Sequence, residues 1–132
     1  MTTVSTSGLA PVNPTLWVLR NADMTLTTDQ VFSKVGSFTN YIVTGIYATR
    51  KTGAFGVACI GGIYTAAAKS GFVLLAAVQA WSNLTGGGTA QMAAIANLLQ
   101  SIATSATPIL NLTTANTGAL TADLFVVGSI VD

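Results

Sequence analysis

The sequence has no glutamate, no histidine and a single cysteine. Without histidine it lacks the side chain that titrates near neutral pH and the commonest metal-ligating ring. Ser-His-Asp and Cys-His nucleophile arrangements are therefore excluded. The lone Cys59 excludes an internal disulfide, and beside Val57, Ala58 and Ile60 it reads as a small buried hydrophobe. The acids are Asp23, Asp29, Asp123 and Asp132. Asp23 and Asp29 form the one local pair, both sit beside turns, and capping accounts for them. Asp123 falls in an apparent strand and is expected on its solvent side or next to a turn. Nothing here predicts an enzyme, a metal site or a cofactor.

Charge is scarce as well. Asp, Glu, Lys and Arg make up 7% of the chain, against about 25% in typical domains. The bases Arg20, Lys34, Arg50, Lys51 and Lys69 leave a net charge of +1. That is too little for a nucleic-acid face. Hydrophobic residues make up 51%, and Thr, Ser and Asn supply the polarity. A surface of this kind suits a component covered by neighbours better than a free monomer. No apolar run reaches the roughly 20 residues of a membrane-spanning helix, and the opening MTTVSTSGLAPVNP lacks the basic start and apolar core of a signal peptide. No membrane association is expected. The Asn-Leu-Thr triplets at Asn83 and Asn111 match the glycosylation pattern and read as chance.

What the chain does have is strand character. Residues 1–14, rich in Thr, Ser and Pro, read as an extended N-terminal arm ahead of one domain, 15–132. Strands are predicted at 16–20, 24–28, 40–50, 54–65, 72–81, 107–114 and 121–131. Residues 28–34 read as a capped helical turn or a strand edge. Turns are predicted at Asn21 and Asp23, at 50–53 and at 115–118. In 40–50, Tyr41, Val43, Gly45, Tyr47 and Thr49 share one face. The Gly61-Gly62 pair marks a bulge or a bend. The ten residues of 72–81 carry one polar side chain, Gln79, so periodicity does not separate helix from strand. Their composition suits a strand covered on both faces. Residues 83–89, with three consecutive glycines, form a loop. Met92, Ile95, Leu99 and Ile102 recur at three and four, which reads as a helix face. The sum is an all-β sandwich or jelly roll of seven to eight antiparallel strands.

Three segments, GGIYTAAAKSG (61–71), VQAWSNLTG (78–86) and TPILNLTTANTGALTADLFVVGSIV (107–131), resemble small virion proteins of tailed bacteriophages. The closest type is the jelly-roll cementing or decoration protein of icosahedral heads, such as that of a short-tailed Bordetella phage. The resemblance implies a strand rather than a helix over 91–102. It also implies a homodimer or homotrimer on the outer capsid surface, bridging neighbouring copies of the major capsid protein. Trp17, Arg50, Lys51, Tyr64, Trp81 and Phe125 are the expected interface residues, with the arm and the 83–89 loop reaching toward partners. A tail or head-fibre component, or a carbohydrate-binding β module with a groove lined by Trp17, Tyr64 and Trp81, is the alternative.

Overall fold

β-Branched and aromatic residues at alternating positions drive much of the chain into strands. The computed structural model describes residues 14–53, 59–85, 90–99 and 104–132. Nine strands form: β1 (Thr15–Asp23), β2 (Gln30–Val31), β3 (Ser33–Lys34), β4 (Tyr41–Gly53), β5 (Ile60–Ala66), β6 (Ser70–Leu75), β7 (Ala90–Met92), β8 (Ile109–Thr114) and β9 (Leu120–Ile130). A single helical turn, α1 (Ser82–Thr85), and a 3-10 turn at Ile95–Asn97 complete the described elements. Residues 1–13 of the expected arm, 54–58 of an expected strand, 86–89 of the expected loop and Ile102 of the expected helix face lie outside the described residues.

The strands make two antiparallel sheets in a sandwich-like arrangement. One has the order β3-β1-β9-β4-β7, the other β2-β8-β5-β6. The pairings are nested: β1 with β9, β2 with β8, β4 with β7, and β5 with β6 innermost. Contacts of β9 with β4 and of β8 with β5 join these pairs into the sheets. Among the described strands, β5 and β6 are the only consecutive ones that pair.

The core lies between the sheets. From the five-stranded sheet come Trp17, Leu19, Ile46, Ala48, Leu124 and Val126. From the four-stranded sheet come Ile63, Leu75, Leu110 and Leu112. Trp81 is fully buried and its indole N–H donates to the Gly61 carbonyl at 3.3 Å. Gly61 and Gly62 lie inside β5, where a Cβ on Gly62 would sit 2.1 Å from the Leu75 carbonyl oxygen. They permit close approach of neighbouring backbone, and the ladder with β8 shifts register between Ile60 and Gly61. One end of the sandwich is closed by the rings of Trp17, Phe38 and Tyr41, with centroids 5.6–5.8 Å apart. There the Tyr41 hydroxyl donates to the Ala106 carbonyl at 2.5 Å.

Several expectations are corrected. Residues 24–28 form a turn and loop, not a strand. Here the Asp23 carboxylate accepts from the Thr25 N–H and hydroxyl, at 3.0 and 2.6 Å, and bends the chain. Asn21 is not in a turn but within β1, at a bulge with φ of 54°. Residues 28–34 are strand edge, split into β2 and β3. The charged 50–53 tip continues β4. The 72–81 strand ends at Leu75, because residues 76–79 turn back to donate the Gln79 N–H to the Ala76 carbonyl. Nor is that strand covered on both faces, since Phe72 is 52% exposed. The helix over 91–102 is absent among its described residues, which form the end of β7, the 3-10 turn and a bridge from Leu98 to Leu75. No helix among the described residues is long and apolar enough to cross a membrane.

Candidate functional site

An antiparallel sheet with one face on a core normally turns polar side chains outward. The five-stranded sheet departs from this. Ser33 pairs with Val18, Val18 with Phe125, Phe125 with Tyr47, and Tyr47 with Met92. These five residues form one row across all five strands. The flanking positions Trp17, Leu19, Leu124, Val126, Ile46 and Ala48 are buried inward, so the row points out. Val18, Phe125 and Tyr47 are half-buried and Met92 is 66% exposed. The Tyr47 and Phe125 rings lie 5.6 Å apart, tilted by 33°. Tyr47, Ala90, Gln91 and Met92 surround a shallow hollow of about 370 Å³.

A charged row borders the apolar one. Asp123 pairs with Thr49 across β9 and β4. Its carboxylate accepts from the Asn21 N–H at 2.8 Å and from the Arg20 guanidinium at 3.2 Å, with the Lys51 ammonium at 3.6 Å. The hydrogen bond from Asn21, more than the neighbouring cations, holds its pKa below the usual carboxylate value. The Asp123 side chain is 7% exposed, whereas those of Arg20 and Lys51 are 63% and 52% exposed. The expected solvent-side carboxylate is thus sealed beneath two cations. Arg20 also lies 5.4 Å over the Phe125 ring, linking the rows by a cation–π contact.

The six expected interface residues separate. Phe125 and Lys51 belong to this face. Arg50 is half-buried and turns toward α1, its guanidinium 3.5 Å from the Leu84 carbonyl. Trp17, Tyr64 and Trp81 are interior, at 3%, 4% and 0% exposure. Their rings pack within the chain and do not line an open groove. Val18 and Met92 are not among the expected interface residues, and the sequence groups Tyr47 on one face with Tyr41 and Val43. A bulge between Val43 and Gly45 reverses the facing of β4, so Tyr41 and Val43 point inward while Tyr47 points outward. Alternation alone had placed all three together.

The other acids are committed elsewhere. Asp29 accepts from the Ala68 N–H at 3.1 Å and the Asn111 amide at 2.6 Å. Asp132 accepts from the Thr39 and Asn40 N–H groups at 2.9 and 2.6 Å, which lowers its pKa. Among the described residues no three of His, Cys, Asp or Glu gather as a metal-binding group. Asn111 of the second glycosylation triplet is buried with its amide on Asp29. Comparison of the chain with family models, curated proteins and solved structures found no match.

Proposed function

We propose that the protein is a structural coat component. It docks on the outside of a phage head and stabilises contacts between major capsid proteins, as a homodimer or homotrimer. The observation that carries the docking role is the outward apolar row Val18, Phe125, Tyr47 and Met92. Each apolar Å² that leaves water is worth roughly 25 cal/mol, and repetition over many symmetric copies multiplies a modest patch.

The nested pairing supports a jelly roll for the finer fold. With the two-residue β3 set aside, eight strands pair first with last, second with seventh, third with sixth and fourth with fifth. This is what results when one long antiparallel hairpin, with β5 and β6 at its tip, is rolled into two sheets. Viral capsid and lectin domains both use that architecture, so the phage assignment draws on the resemblance of 61–86 and 107–131. A tail or head-fibre location fits the same face. A carbohydrate-binding module needs exposed ring faces, and the interior placement of Trp17, Tyr64 and Trp81 disfavours it.

The test is co-sedimentation of the purified protein with heads of the phage whose genome carries this sequence, followed by an electron-microscopy map. Saturable binding at the outer capsid surface is expected. A protein that stays in the supernatant, or density confined to the tail, would refute the head assignment.

A further inference from the structure

We infer that the outer face of the five-stranded sheet receives a different protein, one that presents carboxylates beside an apolar side chain, and not a second copy of this chain. This rests on the coat reading above and names the partner's chemistry at that face.

Two features of the face must be matched. The hollow beside Met92 and Tyr47 is apolar on most of its wall and accepts a large apolar side chain. Beyond the Phe125 ring that packs against Tyr47 stands Arg20, which with Lys51 flanks one carboxylate, both cations being more than half exposed. Asp123 already spends an oxygen on the Asn21 N–H. An incoming surface therefore meets an excess of positive charge. Apolar docking that strips water from those cations is favourable only where the partner supplies acceptors.

A second copy has few to offer. The sequence contains no glutamate, and its four aspartates are Asp23, Asp29, Asp123 and Asp132. Asp23 is held by Thr25, Asp29 by Ala68 and Asn111, Asp132 by Thr39 and Asn40. Asp123 is covered by Arg20 and Lys51 themselves. A two-fold contact through this face would draw on these few, already engaged carboxylates or crowd like charges together. A foreign surface rich in Asp or Glu meets neither cost. The rings of this face are half-buried, which suits a protein surface better than insertion into lipid.

The experiment uses particles that carry the protein. A water-soluble carbodiimide couples an amine only to a carboxylate in direct contact, and mass spectrometry identifies the joined peptides. Lys51 is expected in linkage with an Asp or Glu of another protein. In parallel, Met92→Glu, Lys51→Gln and the control Lys69→Glu are rebound to stripped particles. Met92→Glu should bind at least tenfold more weakly. Lys51→Gln should lose severalfold affinity and much of its salt dependence, and it still decides the matter if Met92→Glu fails to fold. Lys69→Glu, on the β5–β6 hairpin of the other sheet, should bind as the unaltered protein does.

Linkage of Lys51 to an aspartate of another copy, told from linkage to its own Asp123 by mixing isotope-labelled and unlabelled protein, overturns the inference, as does a dimer in dilute buffer that Met92→Glu dissolves. Equal binding by both variants overturns it while leaving the coat function standing. Unaltered protein that does not rebind sinks the function and the inference together. Binding to phosphatidylserine vesicles that both variants lose, with no linkage to protein, assigns the face to lipid instead.

Discussion

The backbone N–H of Asn21 donates to the carboxylate of Asp123 at 2.8 Å, joining two residues 102 positions apart where the β1–β9 ladder is broken. Asn21 sits there in the left-handed region, which asparagine tolerates better than most residues. The bulge frees an N–H, and the carboxylate takes it.

Replacing Asp123 with alanine leaves that N–H without its acceptor and sets Arg20 and Lys51 side by side. A loss of about 2 kcal/mol is expected, measured by urea unfolding. The same pair sets a pH dependence. The folded pKa of Asp123 lies below its ordinary value of 3.8. Its stabilisation is therefore complete above about pH 5, and it is lost as pH falls through the lowered folded value. In Asp123→Asn that part of the acid sensitivity should vanish.

Two glycine substitutions should differ sharply. A Cβ on Gly62 would stand 2.1 Å from the Leu75 carbonyl oxygen, whereas one on Gly45 would stand 3.1 Å from a Val127 methyl that can shift. Gly62→Ala should cost about 3 kcal/mol or more and Gly45→Ala about 1 kcal/mol or less, by thermal or urea unfolding.

The β5–β6 hairpin holds Ala68 and Lys69 at φ of 57° and 62°. Two consecutive residues of positive φ favour Asn-Gly. The double substitution Ala68→Asn, Lys69→Gly should stabilise the fold by about 1 kcal/mol and raise the melting temperature by roughly 4 °C. An unchanged or lower melting temperature would contradict the left-handed turn.

Cys59 is fully buried, and burial pushes its thiol pKa up to about 11. It should resist Ellman's reagent in native buffer at pH 8 and react at once in guanidinium. Fast labelling of the native protein would show that this strand end opens readily.

The strands at 16–20, 40–50, 107–114 and 121–131 were legible because each alternates and is rich in β-branched residues. Three features were not. The apolar run 72–81 carries no period to mark where it turns. It stops at Leu75 because Gln79 is fastened to a distant segment, its side-chain carbonyl accepting from the Ala94 N–H and the Asn97 amide at 2.9 and 2.8 Å. Met92, Ile95 and Leu99 recur at helical spacing, yet all three are exposed, Ile95 at 83%. Their spacing recorded no buried face. At the candidate site, Phe125 and Lys51 could be named from the sequence. The row that gives them meaning could not, because the bulge after Val43 exchanges the two faces of β4 without any mark in the alternation.

Nested pairing has a kinetic consequence. β1 cannot take its place in the sheet until β9, about a hundred residues downstream, lies beside it, and β4 waits for the same strand. No leading portion of the chain is self-sufficient. Among the described strands the β5–β6 hairpin and the two-residue β1–β3 ladder can form locally, and the nested pairings close progressively larger loops around the hairpin. Such a protein should collapse early, acquire its ladders late and fold over milliseconds to seconds. A chain cut before Leu120 should remain without a settled tertiary structure.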